Sequence, residues 1–303
     1  MQEKENPERR SVSEETEFLC ERRLNECDPA LHTLYRSSVF AMDMLLANYK
    51  SVFPFFTNHT FEHSAQVIRY CNLLAGAEIV RQLSADELYI LLMGASLHDI
   101  GMGISEADFR ALKDGVPGLD EGMRARPGAS VPALTRAFHQ EFGAAFVRKH
   151  QALFEIPTPG HLYGICQLIR GHRKMDLLDP REFADFRLPG GAPVRLPYLA
   201  ALLKLADELD VAADRNLLFD YGAPDANWSP EQAMCYRCHE AIRRLEAADG
   251  ALLLYYHTAD ASVETEILRI RDKVLRTFGE YAAVVRERTD FPLRYTAVRF
   301  VPC

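Results

Sequence analysis

Long apolar runs are absent from this sequence of 303 residues. A transmembrane helix needs about 18 or more consecutive apolar residues, so we expect no membrane span. The opening stretch, MQEKENPERRSVSEETE, is polar and lacks an apolar run, so we expect no secretory signal. These two absences predict a cytoplasmic protein that does not contact a membrane.

Regularly spaced cysteines are absent as well. The seven cysteines are scattered, which does not suit a disulfide framework and is ordinary in a reducing compartment. Cys235, Cys238 and His239 do form C-x-x-C-H, the spacing of c-type haem attachment. Haem attachment generally requires export, and a lone C-x-x-C supplies only half of a zinc site. We therefore predict no haem here and leave a redox or structural zinc role open.

An excess of positive charge is also lacking, because the formal net charge is -8. A long nucleic acid is therefore not an expected partner, since many phosphate contacts would be opposed by the field of the chain. The composition, 48% hydrophobic and 26% charged, is that of a soluble globular protein. The length suits one large domain, alone or with an appendage.

Composition divides the chain into three parts. Residues 1–16 are charged and predict a disordered tail. Residues 17–219 carry apolar side chains at helical spacing and predict a helical domain. Residues 220–303 contain two short strands around the turn 247–250, a helix over 263–287 and a last strand, TAVRFVP. We predict a mainly α fold in which residues 220–303 form a small α+β appendage.

Two segments of the helical part bear on a functional site. Ser84 and Glu87 have the spacing of a capping box before an apolar run that ends at His98 and Asp99. The glycines and prolines of residues 114–132 predict a mobile loop that covers the site.

Two further helices are predicted near candidate functional residues. One runs over residues 132–150. The other follows Pro197 and places Asp207, Asp210 and Asp214 on one face.

Five histidine and aspartate features recur at intervals of roughly 33 to 40 residues, about one helix plus a connection. Each helix can therefore contribute one side chain to a common centre, as in helical metal proteins. Imidazoles and carboxylates together suit divalent metal ions. The features are His63, the pair His98 and Asp99, His139, His172 and Asp207.

A single histidine on an apolar helix face is more often packed or capping than a ligand. We assign four histidines to that ordinary class. They are His32, His150, His161 and His257. The three aspartates near residue 210, taken alone, would likewise be a solvated acidic stripe.

The segments HTFEHSAQV, LHDIGM and KLADELD together resemble the HD superfamily of metal-dependent phosphohydrolases, whose ligand pattern is H…HD…D. The resemblance covers roughly residues 50–220 and rests on the order of the motifs. It implies an HD-domain helical bundle in which His63, His98, Asp99 and Asp207 bind metal.

Two more segments, FHQEFGAAFV and IRGHRK, resemble the extra histidine positions of the dinuclear branch, which maps His139 and His172 onto a second ion. With the α+β tail, the chain is most similar to HD-type domains found beside Hsp90-like ATPase modules in bacteria. It departs from two other branches. Met102 stands where cyclic-di-GMP phosphodiesterases carry a lysine, and IGMGI lacks the Glu-Asp pair of guanosine-tetraphosphate hydrolases.

These features predict a metal-dependent phosphohydrolase that uses one or two divalent ions, Mn, Fe, Zn or Mg. Asp99 and His98 are the predicted catalytic residues, with Asp99 bridging two ions. Nearby basic side chains favour a small phosphorylated substrate, such as a nucleotide. The predicted phosphate ligands are Arg136, Arg173, Lys174 and Arg215. Two alternatives remain open, namely a di-iron oxygenase and a nucleotide-sensing module with little turnover.

Overall fold

The computed structural model describes residues 18–53, 60–173, 175–212 and 229–303, so the predicted tail lies outside the described residues. Helices dominate, which confirms the predicted mainly α fold. The α-helices are α1 (Leu19–Cys27), α2 (Pro29–Ala47), α3 (Tyr49–Val52), α4 (Phe61–Gln82), α5 (Ala85–Leu97), α6 (Glu106–Leu112), α7 (Leu119–Ala125), α8 (Val131–Ala137), α9 (His139–Lys149), α10 (Pro159–Gly171), α11 (Leu196–Leu209), α12 (Pro230–Ala241) and α13 (Ala261–Arg288). The strands are β1 (Phe186–Arg187), β2 (Pro193–Val194), β3 (Ile242–Ala248), β4 (Ala251–Tyr256) and β5 (Ala297–Pro302).

Helix α5 lies in the core, and every residue from 87 to 97 is buried. It begins with the capping box that the sequence predicts. The Glu87 amide donates to Ser84 Oγ at 3.2 Å, and the Ser84 amide donates to Glu87 Oε2 at 2.9 Å. Arg195 also donates to the buried Glu87 carboxylate, from Nε at 2.7 Å and from Nη2 at 2.6 Å. This ion pair joins the start of α5 to the start of α11.

Helix α4 bends at Gly76, whose φ of 67° lies in the left-handed region. A Cβ at this position would lie 1.8 Å from Nη1 of Arg294. The bend and the guanidinium contact both require a glycine. The C-terminal segment of the chain therefore packs against the bundle at this bend.

The turn after α5 is a short 3-10 helix, Ile100–Gly103. A Cβ on Gly101 would lie 2.0 Å from the carbonyl oxygen of His139 and 2.8 Å from the amide of Gly143. The missing side chain thus lets α9 approach the turn backbone to backbone. Gly101 brings the start of α9 close to His98 and Asp99.

The C-terminal part has the predicted strands and helix. Strand β4 lies at the centre of a three-stranded sheet, antiparallel to β3 and parallel to β5. Helix α13 packs against α11 through two ion pairs, Lys204 with Glu280 at 2.7 Å and Lys273 with Glu208 at 2.8 Å. The predicted boundary near residue 219 lies outside the described residues and stays a prediction.

Residues 114–132 were wrongly predicted to lack regular structure. They hold the end of a 3-10 helix, all of α7 and the start of α8. A Cβ on Gly122 would lie 2.4 Å from Cζ of Phe138, so this glycine allows close packing of a ring against a helix. The predicted helix 132–150 is likewise divided at Phe138, which is non-helical (φ -125°, ψ 19°). His139 therefore begins a helix, and the lid hypothesis loses its structural basis.

The helix after Pro197 is shorter than predicted, because α11 ends at Leu209. Asp210 is consequently not on the helical face of Asp207, and Asp214 lies outside the described residues. Among the described helices, no single one is long and apolar enough to cross a membrane. One bent pair, residues 85–103 with 106–115, passes on length and composition alone.

Candidate metal centre

Two groups of buried side chains share one residue at the centre of the bundle. His63, His98 and Asp99 form the first group, and Asp99, His139 and His172 form the second. Within each group the candidate ligand atoms lie within 4.8 Å of one another. The structure thus brings together side chains that are up to 109 residues apart in the sequence, from position 63 to position 172.

The first group contains two imidazoles and the carboxylate of Asp99. His63 Nε2 and His98 Nε2 are 3.1 Å apart. Asp99 Oδ2 lies 3.5 Å from His63 Nε2 and 3.3 Å from His98 Nε2. Asp207 Oδ1 lies 3.3 Å and 3.7 Å from the same two nitrogens. Asp207 therefore adds a fourth donor atom to this group.

The second group uses the other oxygen of Asp99. Asp99 Oδ1 lies 3.2 Å from His139 Nε2 and 3.7 Å from His172 Nε2. The two imidazole nitrogens are 3.0 Å apart. Because the two oxygens of Asp99 face different pairs of histidines, this one carboxylate has the geometry to bridge two ions.

The six side chains all come from helix ends. Adjacent residues in a helix interior point their side chains in different directions. At a helix end the backbone can turn, so adjacent side chains such as those of His98 and Asp99 can both point to the centre. His63 lies in the first turn of α4, His98 and Asp99 follow α5, His139 begins α9, His172 follows α10, and Asp207 lies in the last turn of α11.

An oxygen atom holds the Nδ1 side of every imidazole in the two groups. His98, His139 and His172 each approach the carbonyl oxygen three residues earlier, at 2.8, 2.8 and 2.5 Å. His63 Nδ1 instead approaches Asp210 Oδ2 at 2.5 Å. Nδ1–H donation to these oxygens fixes the tautomer and leaves each Nε2 lone pair directed into the site.

This donor set fits metal ions. Two neutral imidazoles whose Nε2 lone pairs face each other at about 3 Å repel one another unless a cation lies between them. In the second group, His139 and His172 face each other in this way at 3.0 Å. In the first group, where the Nε2 atoms of His63 and His98 are 3.1 Å apart, the two aspartates favour a positive charge, which a proton or a divalent ion can supply. Buried imidazole and carboxylate donors suit Zn, Fe, Mn and similar divalent ions. The residues present can therefore hold one such ion in each group.

Asp210 was not recognised from the sequence as part of the site. It follows α11 directly, and 2% of it is exposed. The sequence places Asp210 on the same predicted helical face as Asp207, but the three aspartates, taken alone, have the pattern of a solvated acidic stripe. The available signal was its position three residues after Asp207, where a helix end could turn it toward His63.

The electrostatics of the first group favour bound cations. Burial lowers the pKa of His98, but the charges and hydrogen bonds of Asp99 and Asp207 outweigh it and raise this pKa to about 10. Burial raises the pKa of Asp207, yet hydrogen bonds from the two imidazoles hold it well below its usual range. Burial and neighbouring imidazoles hold the pKa of His172 well below its ordinary value. Asp207 is therefore ionised and His172 neutral, as metal ligands must be.

Two of the predicted phosphate ligands lie beside the second group. Arg173 follows His172 in the chain, and the carbonyl of Arg136 accepts the hydrogen bond from His139. Partial desolvation lowers the pKa of Arg136, whose surface is still exposed, and the positive charge of Arg173 also lowers it, so each guanidinium lies within range of the other's charge. Lys174 and Arg215 lie outside the described residues.

The histidines and cysteines assigned elsewhere belong to neither group within the described part of the chain. His161, for example, contacts Asp86 Oδ1 through Nε2 at 3.0 Å. Cys238 is buried, and burial raises the pKa of its thiol to about 12, which disfavours the thiolate that metals bind. His239 Nδ1 contacts the Val211 carbonyl at 2.8 Å.

The HD-CE family model matches residues 53–283, a range that includes every candidate ligand of both groups. The chain belongs to the HD-CE family. It therefore has an HD-type domain, as the ordered motifs predict. The match runs past residue 219 and ends within α13. A search of curated proteins and a search of solved structures each found no match. The likeness to domains beside Hsp90-like ATPase modules stays a prediction.

Proposed function

We propose that this HD-CE protein is a metal-dependent phosphohydrolase that cleaves a phosphate ester or anhydride of a nucleotide or related small molecule. The observation that supports the proposal is the pair of buried groups that share Asp99. A shared carboxylate between two sets of imidazoles is the arrangement expected of a two-metal hydrolytic site.

The residues have separate roles in this proposal. Asp99 holds the two halves of the site together, and the Nδ1 contacts keep the four imidazoles aimed at it. Divalent ions bound there would lower the pKa of water from 15.7 to about 7 and would neutralise the attacked phosphate. His98 orients the first half of the site from the end of α5, where it is fully buried and cannot rotate freely.

Arg136 and Arg173 are the proposed phosphate ligands. Two neighbouring guanidinium groups are stabilised when a phosphate lies between them. Their backbone positions, beside His139 and after His172, tie them to the second half of the site. The net charge of -8 favours a small substrate, because a local positive centre is enough for one phosphate group.

The test is metal reconstitution without oxygen. The apoprotein is loaded separately with Mn, Mg, Zn and Fe, and phosphate or nucleotide-product release is measured over nucleoside phosphates and cyclic nucleotides. We expect release with at least one ion and none from a variant that carries His98→Ala and Asp99→Ala. His150→Ala is the matched control, because His150 belongs to neither group.

Two outcomes would replace the proposal. Iron-dependent oxygen uptake without phosphate release would favour the oxygenase alternative. Nucleotide binding with no turnover by any ion would favour the regulatory module.

A further inference from the structure

A cavity of about 740 Å³, half open to solvent, lies between α11, α13 and the residues 172, 173 and 175–178. This volume is within the range of small-molecule sites, about 300–1,000 Å³. Met175, Leu178 and Ala283, which are partly exposed, give the cavity an apolar wall. His172 and Arg173 also line it, so the cavity borders residues of the second metal group.

Gly279 lines the same cavity from the interior of α13, a helix of 28 residues. A glycine at such a position makes a helix less stable than an alanine would. Its φ is not positive, and no described atom of a neighbouring element lies within 4 Å of where its Cβ would be. Neither the backbone nor the packing requires this glycine, but its lack of a side chain enlarges the cavity.

Two basic side chains around the cavity form no ion pair with another described residue. Lys204 pairs with Glu280 and Lys273 pairs with Glu208, so these four side chains neutralise one another. Arg173 and Arg276 also line the cavity, and neither forms an ion pair with another described residue. Besides Glu208 and Glu280, one more acidic residue, Asp176, lines the cavity and offsets part of this positive charge.

Three arginines lie at the cavity or near the second metal group. Arg276 is on α13, Arg173 is next to His172, and Arg136 lies near Arg173 beside His139. Because His172 belongs to the second metal group and also lines the cavity, a phosphate held at that group would lie at the edge of the cavity. An apolar wall suits a ring or sugar better than a second phosphate.

We infer that this cavity binds the organic group of the phosphorylated substrate, of about nucleoside size, with Gly279 providing the space and Arg276 adding positive charge at α13. The inference rests on the proposed function and assigns the specificity of the site to α13, which contributes no metal ligand.

The test measures equilibrium binding to the full-length, Mn-loaded protein by calorimetry. The probes are the α,β-methylene analogues of the four ribonucleoside diphosphates, which resist hydrolysis, and methylenediphosphonate, which has no organic group. We expect at least one nucleotide analogue to bind about tenfold or more tightly than methylenediphosphonate, equivalent to about 1.4 kcal/mol.

Two pairs of variants locate the site. Gly279→Phe fills the cavity and should weaken the nucleotide analogue at least tenfold while leaving methylenediphosphonate unchanged. Gly279→Ala is its control and should change neither. Arg276→Gln should weaken the analogue about twofold to fivefold, in line with an exposed charge. Arg269→Gln, an exposed arginine of the same helix outside the cavity, should have no effect.

The results separate this inference from the proposed function. Equal affinity for both kinds of probe, or unchanged nucleotide affinity in Gly279→Phe, would overturn the inference even where phosphate release is observed. Gly279→Phe could also weaken the binding of methylenediphosphonate by disturbing the fold. In that case the arginine variants decide: equal nucleotide affinity in Arg276→Gln and Arg269→Gln would overturn the inference. Tight, Gly279-dependent nucleotide binding without turnover would support the cavity and count against the hydrolase.

Discussion

His63 differs from the other three imidazoles of the centre in the atom that orients it, a carboxylate oxygen of Asp210 instead of a backbone carbonyl. Loss of such a partner typically lowers metal affinity about 10–100-fold. We expect Asp210→Ala to weaken the ion of the first group by that factor while the second group keeps its affinity. Chelator competition measures this, with exposed Asp272→Ala as control. Equal affinity of Asp210→Ala and the unmodified protein would contradict the assigned role.

The sharing of Asp99 gives a second residue-level prediction, about stoichiometry. Replacing both His98 and Asp99 with alanine removes donors from both groups and should abolish metal retention. His139→Ala removes one donor from the second group only, so we expect about one ion to remain per chain. Metal analysis of purified protein measures both. Stoichiometric metal in the double variant would show that these residues are not ligands.

At this scale the sequence predicted the six candidate ligands as one centre from the order and spacing of their motifs, but it did not predict that His139 begins a helix or that α11 ends soon after Asp207. It could not predict Asp210. Its role depends on α11 ending at Leu209, and the sequence there, DVAADR, continues a helical pattern. A difference of a few residues in where a helix ends decides whether a carboxylate faces solvent or an imidazole.

At the scale of elements, the contact between the turn after α5 and the start of α9 positions the second metal group. A Cβ on Gly101 would lie 2.0 Å from the His139 carbonyl oxygen, and neither backbone can yield without moving α9. Gly101→Ala should therefore displace His139 and lower the metal content from about two ions to about one. Gly115→Ala is the control, since a Cβ there meets nothing within 4 Å. Unchanged stoichiometry in Gly101→Ala would show that α9 can shift without losing the ion.

The same kind of contact explains which elements the sequence predicted poorly. The capping box of α5 was predictable because both partners lie within three residues of each other. Gly122 was predicted to be a loop residue, but the residue that requires a glycine there is Phe138, whose ring packs against it. Phe138 is distant in sequence and close in space. Some glycines are needed for a backbone conformation that other residues avoid, and these indicate a turn. Others are needed because a neighbouring group leaves no room for a Cβ, and these indicate close packing. Only the structure distinguishes the two cases.

At the scale of the whole molecule, the C-terminal part is joined to the bundle by contacts that composition does not reveal. Two ion pairs connect α11 with α13, and Arg294 packs at the Gly76 bend of α4. The sequence predicted the strands and the helix of this part correctly. The contacts place α13 against α11, the helix that ends at Asp207 and Asp210, so the C-terminal part supports the metal centre.

Metal removal should therefore destabilise the whole protein. The donors converge only in the folded chain, so an ion that binds the native state stabilises it by about 2.7 kcal/mol at a free concentration of 100 times its Kd. Removal of the ion also restores the repulsion between the imidazole lone pairs of His139 and His172, whose Nε2 atoms are 3.0 Å apart. We expect a chelator to lower the urea midpoint of unfolding and added Mn or Zn to restore it. The variant with His98→Ala and Asp99→Ala should respond to neither treatment. A chelator-induced shift of the same size in that variant would mean that the stabilising ion binds outside this centre.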